Sequence, residues 1–254
     1  MANVTFREVS PDDIDDINVM CMMPGSKDPC ALRESAEAHL RAAAMGAKVF
    51  GAFLNGEPVG RIEVMPIEAA PLPLEGDGLW VVRCLWVLEK AQGLGIARSL
   101  MNLGLDAAQG SKGVAVLTYP NWMPPSFFQK FGFEMVHRDG GRMVLMRKAD
   151  PGAEVVLALP AIEFATSDQT VRIDAVFNAR CPWLMQYYRG CLARARSLSE
   201  RVITNEHIIH THADALQWGE ENLYIDGETP FEGPVRLQEL EKVIKEILAR
   251  KKLL

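Results

Sequence analysis

The sequence predicts an α/β protein in two parts, a mixed sheet with helices over residues 1–150 and a smaller α/β unit over 151–254. Three observations carry this. The stretch beginning at Leu79 is almost unbroken apolar for nine or so residues, the pattern of a strand buried on both faces. A polar turn, Glu89 to Gln92, and Gly93-Leu94-Gly95 follow it, and Ile96, Leu100, Leu103 and Ala107 then recur at helical steps of four and three. A second continuous apolar run, Val114 to Tyr119, comes next, and Asp150-Pro151-Gly152 punctuates the boundary between the parts.

In chain order, Val4 to Val9 alternates as a half-buried strand. Ser10 caps a helix that has Pro11 at its first position and runs to about Met20. Met22 to Pro29 reads as loop, and a second helix spans Ala31 to Met45, ended by Gly46. Lys48 to Leu54 and Pro58 to Met65 are strands joined by an Asn55-Gly56 hairpin turn. Pro66 to Gly78, rich in proline, glycine and acid, reads as loop, and Gly141 to Met146 is the last strand of the first part.

Beyond the boundary, Val155 to Leu159 is a tethering strand. Strands follow at Val171–Phe177 (ending in Asn178-Ala179-Arg180-Cys181-Pro182-Trp183), Ile203–Thr211 and Leu223–Asp226, with helices after Trp183 to about Leu198, at Ala213–Trp218 and at Leu237–Leu248. In the last helix Leu240, Val243, Ile244, Ile247 and Leu248 share one face.

The 254 residues suit two small domains, and 48% hydrophobic content is ample for their cores. A net charge of −6 argues against nucleic-acid and anionic-membrane partners. The charged first residues, Met1 to Asp16, are no secretory signal, and no apolar run is long enough for a bilayer. Five cysteines, with no pair two residues apart, suit a reducing cytoplasm better than a disulfide framework or a zinc ribbon.

Strand, glycine turn and helix present unpartnered amides and a positive dipole end to an anion, and glycine lets a diphosphate approach the backbone. The turn lacks the Gly-Lys-Ser/Thr ending of a Walker loop, and Arg98 stands where a dinucleotide fingerprint needs its third glycine. Gln92, Gly95 and Ala97 remain as Gln-x-x-Gly-x-Ala, and Asn121 and Gly132-Phe133 follow the next strand at a matching spacing. In these motifs residues 1 to about 148 resemble the GCN5-related N-acetyltransferases, the GNAT family.

That resemblance implies acetyl-CoA as cosubstrate and direct attack by the amine of a small molecule or a protein. It implies that the amides of Gln92, Gly93, Leu94, Gly95, Ile96 and Ala97 hold the pyrophosphate. Backbone groups near Leu85, Trp86 and Val87 pair with the pantetheine arm, one of them polarising the acetyl carbonyl, and Asn121 bonds the same arm. Leu94 occupies a position that is often basic in the family. The family's general-acid tyrosine is replaced by Phe128 beside the cofactor, which cannot donate a proton. Phe128→Tyr is therefore expected to leave the rate unchanged or raise it. Tyr119 or a water is the substitute acid, against a plain reading of Tyr119 as a half-buried strand aromatic. Glu63 and Glu89 are the candidate bases, and each can also be read as a solvated strand-end charge. Arg83, inside an apolar strand, must reach an edge or find a carboxylate. In the same plan, Pro66 to Gly78 lies near the acceptor entrance.

The second part resembles a thioredoxin-like domain of the YoaP-like kind, in the order β-α-β-α-β-β-α. Cys181-Pro182 stands where that fold keeps its nucleophile, and a helix N-terminus favours a thiolate. Leu184 stands at the resolving position and Cys191 cannot face Cys181, so dithiol exchange is not expected. His210 and His212 share one side of a strand and His207 the other, so no resident metal is expected. The second part shapes acceptor access or mediates association, a homodimer included. Two other readings stay open: a non-catalytic CoA-binding sensor or adaptor, and a thiol- or metal-handling protein.

Overall fold

A seven-stranded mixed sheet occupies the first part of the computed structural model, which describes residues 3–22, 28–231 and 233–253. Its strands are β1 (Val4–Glu8), β2 (Lys48–Leu54), β3 (Glu57–Pro66), β5 (Leu79–Val87), β6 (Gly113–Thr118), β7 (Glu134–Asp139) and β8 (Arg142–Lys148). They lie in the order β1-β2-β3-β5-β6-β8-β7, and only β5 and β6 run parallel. The remaining strand of this part, β4 (Leu74–Glu75), pairs elsewhere. Asn55 and Gly56 both take positive φ, 52° and 90°, the geometry of a tight hairpin whose twist matches its strands.

The first predicted helix is broken. Ser10 accepts from the Asp13 amide as a cap should, but a 3-10 turn (Pro11–Asp13), a single turn α1 (Asp15–Asn18) and another 3-10 turn (Val19–Cys21) replace one continuous helix. Helix α2 (Pro29–Ala43) starts two residues before the expected Ala31 because the Asp28 carboxylate caps the amides of Cys30 and Ala31. Most of the expected loop from Met22 to Pro29, residues 23–27, lies outside the described residues.

Helix α3 (Ile96–Ala107) lays Ile96, Leu100 and Met101 against Ile62, Val64 and Val82 on one sheet face. Helix α4 (Pro125–Gln129) closes the far end of that core. Met65, Val81, Ala115, Leu117 and Val144 form the other face, under the segment Pro66–Gly78. That segment is largely irregular, as expected, but it is packed rather than exposed and holds a 3-10 turn (Ile67–Ala69) and the short β4. Ile67, Ala70, Leu72 and Leu74 are buried, and β4 pairs with β9 (Val156–Leu157) to clasp the two parts together. Its apolar residues, every second or third along the segment, outweigh its prolines.

The second part runs β10 (Val171–Asn178), α5 (Pro182–Arg196), β11 (Val202–Ile209), α6 (His212–Trp218), β12 (Asn222–Ile225) and α7 (Leu237–Arg250). Its sheet order is β11-β10-β12, with β10 and β11 parallel and β12 antiparallel. After the Asp226-Gly227 turn the expected second hairpin strand is reduced to one bridge, Ile225 to Glu228. Leu240, Ile244 and Leu248 of α7 are buried against α5 and the sheet, as the periodicity requires. Helix α2, from the first part, packs on α5, with Ala31 inside the second core.

Candidate active site

Strands β5 and β6 separate part-way along their length. They pair from Leu79–Gly113 to Val82–Val116 and no further. Beyond that point β5 stays with β3, pairing Leu85 with Ile62, Trp86 with Arg61 and Val87 with Gly60, while β6 stays with β8. The register with β3 steps from Glu63–Cys84 to Val64–Val82, leaving Arg83 as the extra residue of a bulge. A bulge bends its strand, and this one sits where the two strands part. Peptide groups of Leu85, Trp86 and Val87 that β3 does not use therefore edge a crevice. Leu85 and Val87 turn toward the α3 core, and Trp86 toward the opposite side.

At the mouth of the crevice, residues 89–91 form a 3-10 turn and Gly93 and Gly95 take φ of 79° and 75°. Gly95 is the N-cap of α3. A Cβ at either glycine would meet nothing within 4 Å, so no side chain crowds that side of the turn. The first α3 amide to find a helical carbonyl is that of Ser99, which donates to Gly95 at 3.1 Å, so those of Ile96, Ala97 and Arg98 are the free first-turn donors of the helix. Leu94 is 52% exposed, so its side chain takes no part in the core. The Gln92 side chain folds back, donating to the Val87 carbonyl at 3.4 Å.

On the other wall, Tyr119 and Trp122 exchange backbone hydrogen bonds of 3.0 and 3.3 Å, holding exposed Asn121 at the turn between them. The Trp122 ring stacks on Trp86 with centroids 5.0 Å apart, spanning the gap between the walls. Phe128 is fully buried, edge-on to Phe127 and Phe133. The position that carries a tyrosine in the family is here part of the core. Phe128→Tyr should accordingly lower the unfolding midpoint, because an unpaired buried hydroxyl costs about 1–3 kcal/mol, with no gain in rate. An unchanged midpoint together with faster turnover would contradict this placement.

The three candidate proton carriers are not brought together. Glu89 is exposed at the start of the 3-10 turn. Glu63 is 2% exposed and receives hydrogen bonds from Arg180 of the second part, with Arg61 at 3.7 Å and His39 at 3.4 Å. Burial alone would raise its pKa; the Arg180, His39 and Arg61 neighbours outweigh that and hold it well below the ordinary carboxylate range. A carboxylate so committed is a counterion and a poor base for an amine. Tyr119 donates a hydrogen bond to Glu220, which also receives one from Arg142. Burial and the Glu220 charge push the Tyr119 pKa well up, so the phenol keeps its proton.

Glu220 and Glu221 lie on the turn between α6 and β12, where Gly219 at φ 73° reverses the chain. Arg83 donates to Glu221 at 3.0 Å, which answers its need for a carboxylate. Sequence reading passed over Glu220, Glu221, Arg142 and Arg180, since their partners stand 78 to 138 residues away. Apart from the acidic pair after a helix-ending glycine, no local signal marks them.

Cys181 is the N-cap of α5, as expected, but burial raises its thiol to about 11, and the same holds for Cys84. Desolvation overrides the helix dipole there. The histidines diverge: His207 bonds Asp174 at 2.8 Å, His210 meets Arg41 at 3.1 Å, and His212 meets the Leu74 carbonyl at 2.9 Å.

Residues 46–135 match the family model described as an acetyltransferase (GNAT) domain. This span is a GNAT acetyltransferase domain. The match supports acetyl-CoA-dependent N-acetyl transfer as the chemistry of this domain, with acetyl-CoA as cosubstrate. Among solved structures, the chain is similar to a GNAT-family acetyltransferase of Desulfovibrio desulfuricans, at 20% identity and TM-score 0.44, covering 57% of this chain and 99% of that one. It is similar to the PaiA N-acetyltransferase of Thermoplasma acidophilum in complex with coenzyme A, at 16% identity and TM-score 0.43, over 57% and 99% of the two chains. A GNAT acetyltransferase of Brucella melitensis in complex with acetyl-CoA gives 21% identity and TM-score 0.41 over 60% and 94%. No curated protein matches the chain.

Proposed function

We propose that acetyl-CoA lies in the crevice between β5 and β6 and that an amine attacks its thioester directly from the face covered by the second part. The observation that carries this is the loss of β5–β6 pairing beyond Val82–Val116, immediately beside a glycine turn that opens α3 and that no side chain crowds at its glycines. The amides from Gln92 to Ala97, on Gly93, Leu94, Gly95 and Ile96 between them, would hold the pyrophosphate with the dipole of α3 behind them. Backbone groups of Leu85, Trp86 and Val87 would pair with the pantetheine arm, and one N–H there would stabilise the tetrahedral oxyanion, worth about 3 kcal/mol. Asn121 would bond the arm from the opposite wall. Phe128 contributes packing under that wall.

The two-domain division at about residue 150 and a thioredoxin-like origin for the second part belong to the same proposal, supported by the β-α-β-α-β-α order of 171–250. That part would shape acceptor access, and its chemistry would not be dithiol exchange, since Cys181 is protonated and Cys191 is buried in its core. A cytoplasmic location fits the five free cysteines, and among the described residues no helix is long and apolar enough to cross a membrane. An acidic surface fits partners other than nucleic acid or membrane, and a homodimer is compatible with it.

Calorimetric titration with acetyl-CoA tests the site. The wild type should bind, and Gly95→Val should weaken binding tenfold or more, because a β-branched residue at that φ costs about 1–3 kcal/mol. No affinity in the wild type would remove the crevice reading. Binding without CoA release against a panel of amines would favour a CoA-dependent sensor.

A further inference from the structure

We infer that Glu220, carried by the second part of the chain, is the base of the acetyl transfer and that Tyr119 relays its proton to the departing thiol. This rests on the crevice reading above. Tyr119 follows β6, the strand that forms one wall of the crevice, and its hydroxyl donates to one Glu220 carboxylate oxygen. Arg142, on β8, donates to the other oxygen and fixes the carboxylate plane. Tyr119, Arg83 and Glu63 all belong to the sheet face opposite α3, the side from which an amine would reach the thioester. Within the first part, Glu63 is locked to Arg180 and Glu89 stands in solvent. Glu220 is the carboxylate with a proton-bearing partner on the crevice wall.

The environment suits the role. Burial raises the Glu220 pKa above its ordinary value although Tyr119 and Arg142 pull it down, so the group accepts a proton more readily than an exposed glutamate. Glu221, Tyr188 and Tyr224 are titratable groups facing it or Arg142, Asp139 meets Arg142 at 4.0 Å, and Glu221 is neutralised by Arg83. For a neutral amine the overall change is R–NH2 plus acetyl-CoA to R–NH–acetyl plus CoA–SH. The nitrogen lone pair forms the C–N bond, the C–S bond breaks with its electron pair on sulfur, and one N–H proton passes to the Glu220 carboxylate. The Tyr119 hydroxyl proton goes to sulfur while its oxygen takes the proton held by Glu220. Both side chains return to their starting forms, and transfer from a carboxyl to a thiolate of pKa about 8.5 runs downhill.

Release of CoA thiol is measured from about pH 5 to about pH 9. Spermidine, tyramine, free amino acids and a peptide with an unblocked N-terminus serve as probe acceptors, and the fastest is retained. Glu220→Gln should lower kcat about a hundredfold, leave the acetyl-CoA KM nearly unchanged and abolish the acid limb of the pH profile. Tyr119→Phe should lose a similar factor, and the double variant should fall no further than the worse single one. Formate should restore part of the activity of Glu220→Ala. Tyr119→Phe keeps the ring and its packing, so it reads the relay even if Glu220 variants fold poorly. A wild-type rate and unchanged acid limb in either Glu220→Gln or Tyr119→Phe overturns the relay alone, provided the wild type binds acetyl-CoA and turns over. A wild type that neither binds acetyl-CoA nor releases CoA overturns the crevice reading, and the relay with it.

Discussion

Arg180→Met should cost the folded protein about 3–5 kcal/mol, the penalty for stripping one partner from a buried charge cluster. The guanidinium donates to Glu63 and, at 2.7 Å, to the Ala38 carbonyl, and it lies 2.6 Å from His39 Nδ1. The backbone of the same residue accepts from Ser35 at 2.8 Å and donates to Asn178 at 2.8 Å. With Arg180 gone, the nearly inaccessible Glu63 would keep only Arg61, at 3.7 Å, and a neutral imidazole. Urea unfolding of the variant reads the effect as a fall in midpoint at constant slope. A loss below about 1 kcal/mol would mean that water reaches Glu63 and that the cluster is less dry than its exposure implies. A double-mutant cycle with Glu63→Gln should give a coupling energy of opposite sign to the single losses, because the second change removes the charge that the first left unpaired.

Stability should also decline steadily on acidification, starting well above the carboxylate range. His39 is buried among guanidinium groups, and desolvation with the Arg180 charge lowers its pKa from 6.5 to about 3. Between those values the unfolded chain holds a proton that the folded chain excludes, so unfolding takes up protons and is favoured as pH falls. One such proton corresponds to about 1.4 kcal/mol per pH unit at most. Glu63 acts in the same direction: its folded pKa is depressed, so its contribution is complete above the unfolded carboxylate value and is lost as pH falls through the folded one. His39→Gln should flatten the dependence between about pH 6.5 and 4.5 and leave the lower limb in place. An unchanged slope in that window would show that another group takes up the proton.

The crevice was legible because its signals are local. An apolar run of nine residues, two glycines two apart and a helical repeat fix the strand, the turn and the start of α3 without reference to anything distant. The second half was legible at the level of its elements for the same reason, since α5 and α7 follow their apolar periods and Cys181 does cap α5. Pairings between the halves were not legible. Nothing around Glu63 announces Arg180, and a lone glutamate in a strand looks the same whether it meets water or a guanidinium. The broken first helix shows a different limit. Ser10 and Pro11 gave a true start, but the run after them is too short and too β-branched to hold one helix against tertiary packing.

The way Arg83, Tyr119 and Arg142 reach across to the Glu220–Glu221 turn bears on how far this molecule can be divided. A fragment ending near residue 150 would keep every amide of the turn from Gln92 to Ala97, yet Arg83 would lose Glu221, and Arg142 and Tyr119 would lose Glu220. Grafting that fragment onto another scaffold would transplant the glycine turn and its sheet without the counter-charges of the second part. Exchange of the C-terminal half would, in turn, rewrite the electrostatics on the sheet face opposite α3 while leaving the glycine turn intact.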